Sequence, residues 1–218
     1  MGNHHRPATK KRQTGSALIT GLIILLLMMI IGTAGMRTTI MEERMAGNSR
    51  DLNNAFQAAE SGLLDGEQDL RNKDPATQGL TRAIDYDKTN FTADCGLGNA
   101  TNRDFDGLCL PVTVLTDPPR WLAINWSATG VPGTNPLPYR EYGQHTEING
   151  SAPPDLPSVS RQPRYILEYL GSLGSLVIGK AKPAVTTYFR VTTQGYGIAM
   201  TDANEPIARI MLQSVYGK

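Results

Sequence analysis

The strongest feature of the hydropathy pattern lies near the start of the chain. Ser16 to Met36 is a run of 21 residues without a charge, flanked by Lys10, Lys11 and Arg12 on one side and by Arg37 on the other. As a helix rising ~1.5 Å per residue it spans about 30 Å, the thickness of bilayer hydrocarbon. The next stretch changes character without a break. No proline occurs between Thr38 and Pro75, and apolar positions recur at helical spacing: Met41, Met45, Leu52, Phe56, Ala59, Leu63 and Leu70, with Asn48 and Gly66 filling the stripe. Glu42, Glu43, Arg44, Arg50, Asp51, Glu60 and Glu67 fall off that line. The pattern predicts one continuous helix from Ser16 to about Asn72, roughly 85 Å long. Its first half is apolar all round, and its second half carries one apolar stripe that should pack on a head.

After Pro75 the pattern becomes short β-rich runs between Pro, Gly, Asn, Asp and Thr. Strands are expected at Cys109–Leu115, Trp121–Ser127, Tyr165–Leu170, Val185–Thr193 and Ile207–Tyr216, with Gly195 and Gly197 or Asn204 marking the last turn. These runs predict an antiparallel sheet with one face covered by the amphipathic half of the helix. Residues 128–163, rich in Pro and Gly, read as a long irregular insertion.

Charge and cysteine content sharpen this picture. The 218 residues carry a formal net charge of +1, which points to no nucleic-acid partner. Residues 1–15 hold Arg6, Lys10, Lys11 and Arg12 and no acid, so the rest of the chain is slightly acidic. Positive charge next to an apolar span orients it, keeping the N-terminus cytoplasmic and placing the rest of the chain outside. Cys95 and Cys109, fourteen apart, are the only cysteines; in an exported head they read as one disulfide. Loop closure would make that bond worth roughly 3 kcal/mol. Gly32-Thr33-Ala34 would pass for a signal-peptidase site, but an uninterrupted helix beyond it argues that the apolar run is retained.

Signs of chemistry are few, and no enzyme activity, cofactor or metal is expected. Asn102, Asp104 and Asp106 with Gly107 match the first half of a calcium loop, but Thr113 stands where a bidentate glutamate belongs. His145 has no obvious nucleophile nearby in sequence, and "YLGSLGSLVIGK" lacks phosphate-loop spacing.

A short basic leader ending in glycine, followed directly by an apolar helix, resembles the class III signal of type IV prepilins. The resemblance places processing between Gly15 and Ser16, on the cytoplasmic side. The stretch "TTIMEERMAGNSRDLNNAFQAAESGLLDGE" is similar to the N-terminal signature of PilX-type minor pilins. It implies an α+β pilin-like fold, with a long N-terminal helix packed on a C-terminal antiparallel β-sheet head. The expected divisions are a cleaved leader at 1–15, the helix at 16–74 with a transmembrane part at 16–36, and the head at 75–218. Implied partners are other minor pilins, the major pilin, a large tip adhesin and the prepilin peptidase. The implied location is the bacterial inner membrane before assembly and the surface pilus, which drives adhesion and twitching motility, afterwards. Most pilins have a glutamate at the fifth mature position, thought to pair with a neighbour's terminal amine. Counted from Ser16 that position is Thr20, which shifts the expectation from the filament body to the tip or its priming complex. The competing readings are a membrane-anchored or secreted periplasmic binding protein and a type II secretion pseudopilin.

Overall fold

The computed structural model describes residues 15–72, 86–98, 103–114, 116–129, 136–148, 150–175 and 184–218. The chain divides into two units, Met1–Gly47 and Asn48–Lys218. One helix, α1 (Ser16–Arg71), supplies most of the first and opens the second. Every side chain from Gly15 to Arg50 is exposed, and this helix is long and apolar enough to cross a membrane. It stops at Asn72, which takes a left-handed φ of 51° and donates its N–H to the Asp69 carbonyl (2.9 Å). Asparagine tolerates that conformation better than most side chains, which makes it an effective helix terminator.

The second unit is built on a five-stranded mixed sheet. Its strands are β1 (Leu108–Cys109), β2 (Arg140–Glu141), β3 (Arg164–Ser175), β4 (Ala184–Tyr196) and β5 (Arg209–Gly217). The order is β1-β3-β4-β5, with β2 also on β3. β1 runs parallel to β3 and the remaining pairs are antiparallel, so the wholly antiparallel sheet expected from sequence is corrected at one edge. The last three expected strands are present: β3 and β4 extend beyond the expected ranges, and β5 starts two residues later and ends one residue later than expected.

Two expected strands are not as predicted. Pairing of Cys109–Leu115 ends at Cys109, because Pro111 follows and has no N–H to give a ladder. Trp121–Ser127 is not a strand: Arg120–Ala123 forms a helical turn, α2. Pro119, with φ −53°, sits just ahead of it and presets the backbone for a helical start. The final turn contains Gly197 and Asn204 as expected, but Gly195 does not belong to it. β4 runs on through Gly195 to Tyr196, and the chain turns over residues 197–208.

The sheet is covered on both faces. Leu70 of α1 packs with Tyr86, Phe91, Leu108, Tyr165, Leu167, Phe189 and Val191 on one face. Ile166 packs on the other with the Cys95 and Cys109 pair, Trp126, Leu137 and Tyr139. The face α1 presents to the sheet is not the expected apolar stripe. Its buried residues are Asp51, Ala55, Ala58, Ala59, Gly62, Asp65, Gly66, Asp69 and Leu70, whereas Leu52 and Phe56 remain 48% and 43% exposed. The cause is a close approach of backbones. A Cβ on Gly195 would lie 2.3 Å from both the Ala55 carbonyl oxygen and the Ala59 nitrogen, so no larger residue fits there. Small residues let the helix sit on β4, and bulkier ones are turned outward.

Candidate functional site

The expected processing junction and the fifth residue after it lie at the start of α1. Gly15 has φ +91° and Ser16 is the first helical residue, so the backbone leaves its helical path at the predicted cut. The leader before Gly15 lies outside the described residues. Thr20 turns its hydroxyl back on its own helix, donating to the carbonyls of Ser16 (3.0 Å) and Ala17 (3.1 Å). In hydrocarbon such a bond satisfies the only polar group of the side chain internally. Thr20 thus presents a methyl group, and no charge, to anything packed beside it.

In the second unit, three carboxylates on one helix face do what the apolar stripe was expected to do. Asp51 Oδ1 accepts the backbone N–H groups of Ile198 (2.6 Å) and Ala199 (3.0 Å), tying α1 to the turn after β4. Asp65 accepts the Gly143 N–H (2.9 Å) and the Thr146 hydroxyl, tying it to the insertion. Asp69 accepts the Tyr86 hydroxyl (2.5 Å), the Tyr165 hydroxyl (3.0 Å) and Arg140 Nη1. Each acid therefore holds a different segment. Burial pushes the Asp65 carboxyl up to about 6, against the opposing pull of its Thr146 and Gly143 hydrogen bonds.

Arg140 is the hub of this seam and is fully buried. Beyond Asp69 and the Tyr86 hydroxyl (3.1 Å), it donates to the backbone carbonyls of Asp104 and Asp106 (2.5 Å each). One guanidinium thus joins the end of α1, β2 and the disulfide loop. Removing one partner from such a pair strands a buried charge, which costs far more than an exposed pair is worth. Sequence reasoning missed Arg140 altogether and placed Asp51 on the solvated side. The available signal was the spacing of Asp51, Asp65 and Asp69, whose steps of fourteen and four bring them onto one helical face.

Cys95 and Cys109 are bonded to each other. The turn between them requires Gly96: its φ is +90°, and a Cβ there would meet the Phe105 carbonyl oxygen at 2.1 Å. Of the calcium candidates, Asn102 lies outside the described residues. The Asp106 carboxylate is taken by Arg103 Nε (3.0 Å) and the Leu137 N–H (3.3 Å), and the Asp104 and Asp106 carbonyls by Arg140. Burial raises the Asp106 carboxyl from its ordinary range, with Arg103 pulling the other way. Two guanidinium groups stand where a cation would have to enter. Among the described residues, no group of three or more His, Cys, Asp or Glu is placed to hold a metal ion.

The geometry is that of a part built to be packed: an unaccompanied apolar helix joined to a head stitched by buried carboxylates. Comparison with known families agrees with that character. The family model PilX N-terminal matches residues 14–64, and the model Type IV pilus assembly protein PilX C-term matches residues 77–218. No curated protein and no solved structure matches the chain.

Proposed function

The chain belongs to the PilX family of type IV pilus assembly proteins, and from that premise we propose that it is a priming subunit at or near the pilus tip. As a structural component it acts by association. The prepilin peptidase cuts between Gly15 and Ser16, and the leader's Lys10, Lys11 and Arg12 hold that junction in the cytoplasm while the head enters the periplasm. The retained apolar helix anchors the subunit as a single pass. It then bundles with the helices of other minor pilins, and the assembled heads form the platform on which major pilin is added and a large tip adhesin is carried.

The observation that carries the tip position is Thr20. A subunit inside the filament has another ahead of it whose terminal amine must be neutralised in an apolar setting. A buried ammonium without a partner is costly. Thr20 offers that amine nothing, because its hydroxyl is bonded to Ser16 and Ala17 of its own helix. A subunit with no neighbour ahead of it incurs no such cost.

A clean deletion complemented with wild-type or Thr20→Glu protein tests this reading. Deletion should leave few or no surface pili and abolish twitching, and intact mass of the mature protein should start at Ser16. Normal piliation in the deletion strain, or a mature start near Gly35, overturns it. Incorporation of the wild-type protein along the filament shaft would overturn the tip position alone.

A further inference from the structure

β5 ends the sheet, and among the described residues no strand lies beyond it. Its register fixes which backbone groups are in use. Thr187 and Lys218 exchange both hydrogen bonds (2.8 and 2.9 Å), and Gly197 donates to Ala208 (2.9 Å). In an antiparallel ladder bonded pairs recur at every second residue. With Phe189 opposite Tyr216 and Gly195 opposite Ile210, the backbone groups of Ile210, Leu212, Ser214 and Tyr216 face β4. Those of Arg209, Met211, Gln213, Val215 and Gly217 point out of the sheet. Natural edges are usually blunted by proline, a bulge or an inward charge. Here Ile210 to Gly217 contains no proline and no charge, the β4–β5 register runs without a shift, and Val215 is 63% exposed.

The helix supplies a wall beside this edge. Ser214 Oγ donates to Glu67 Oε1 (3.0 Å), which puts the even-numbered side chains of β5 on the helix side. Helical spacing sets Phe56, Glu60 and Leu63 on the same flank of α1 as Glu67. Phe56 and Glu60 are exposed, and Leu63 and Glu67 are half-buried. The wall therefore alternates apolar and acidic positions along an open ladder.

We propose that this edge takes up an extended segment of a partner protein as an added strand, whose helix-side residues alternate apolar and basic. Backbone hydrogen bonds hold the segment, Phe56 and Leu63 receive its apolar side chains, and Glu60 and Glu67 select the basic ones. A second copy of this chain is the poorer occupant. Its own β5 carries no basic residue from Ile210 to Gly217 to meet those acids, and it would bring Glu60 and Glu67 to face Glu60 and Glu67. The proposal holds wherever the subunit sits in the pilus, so its failure and that of the tip position are separate results.

The test uses the full chain in detergent micelles and a capped synthetic peptide, Val-Thr-Lys-Thr-Val-Thr-Lys-Thr-Val. Hydrogen exchange should show new protection at the amides of Met211, Gln213 and Val215 when peptide is added. Replacing both peptide lysines by glutamate should weaken binding at least about tenfold, as loss of two charge pairs predicts. Val215→Pro removes one outward N–H without touching a bond to β4, and should weaken binding about tenfold. Glu60→Lys, at an exposed position that leaves the fold intact, should abolish the preference for the lysine peptide. No added protection at millimolar peptide overturns the proposal. So does protection that grows with protein concentration in the absence of peptide, which would assign the edge to a second copy.

Discussion

The two stretches of α1 invert the usual relation between hydrophobicity and burial. From Ser16 to Arg50 the helix contains its most apolar residues, among them Leu18, Leu25, Met28 and Ile31, and every one is exposed. From Asp51 to Leu70 the buried positions are mostly alanine, glycine and aspartate, while Leu52 and Leu64 face outward. Apart from Leu70, which is buried against the sheet, and the partly buried Leu63, the large apolar side chains of this helix are exposed. On the proposed function they are the ones free to meet lipid or other subunits. Small ones mark where it meets its own sheet, because close backbone packing rejects bulk and leaves carboxylates to provide the specific ties. The contrast also fits a subunit that must leave the membrane. Its exposed apolar stretch is chemically uniform, and its intramolecular face is keyed residue by residue.

Breaking the keyed side at its hub should have the largest effect. Arg140→Met leaves the Asp69 carboxylate buried without its cation and should cost about 3–5 kcal/mol in urea unfolding followed by tryptophan fluorescence. Arg44→Met, on the exposed stretch, should stay within about 0.5 kcal/mol. The next largest difference comes from glycines. Gly195→Ala drives a Cβ into the Ala55 and Ala59 backbone and should cost about 2–3 kcal/mol. Gly32→Ala meets nothing within 4 Å and should leave head stability unchanged.

A pH series tests the keying more finely. Burial holds the folded Asp65 carboxyl at about 6, above its ordinary 3.8, so its charged form is disfavoured in the folded chain. The stability due to the protonated form is complete below about pH 4 and is lost as pH rises through about 6, at most about 3 kcal/mol. The melting temperature of the wild type should therefore fall relative to Asp65→Asn between pH 4 and pH 7, and parallel curves would contradict this. The smallest effect on the head should come from Met45→Ser and Leu52→Ser, each within about 0.5 kcal/mol. If the outward apolar residues serve assembly, pilus counts should nonetheless drop in both. Normal counts would limit the assembly face to the stretch before Arg37.

Much of the fold was legible because it rests on periodicity. The apolar run of 16–36, a helix ending near Asn72 and the three long strands follow from spacings of 3.6 and 2 that tertiary contacts did not override. The face of the helix was not legible in the same way. Apolar side chains at helical spacing are equally consistent with packing inward and outward, and the choice depended on Gly195 and Gly62, far apart in sequence. Trp121–Ser127 misled for a related reason: Pro118-Pro119 favoured a helical turn over the β propensity of the aromatic residues that follow.

The sequence by itself determined the membrane-length segment and the absence of an acid at position 20, and it suggested both the cysteine pair and a processing junction at Gly15 and Ser16. These are local properties, set by residues near one another along the chain. Only the tertiary structure decided that Asp51, Asp65 and Asp69 face inward, that Arg140 closes the seam, and that β5, with no strand beyond it among the described residues, is tied to Glu67 of the helix. A buried charge is tolerable only where a partner waits for it, and the partner of Asp69 lies 71 residues away.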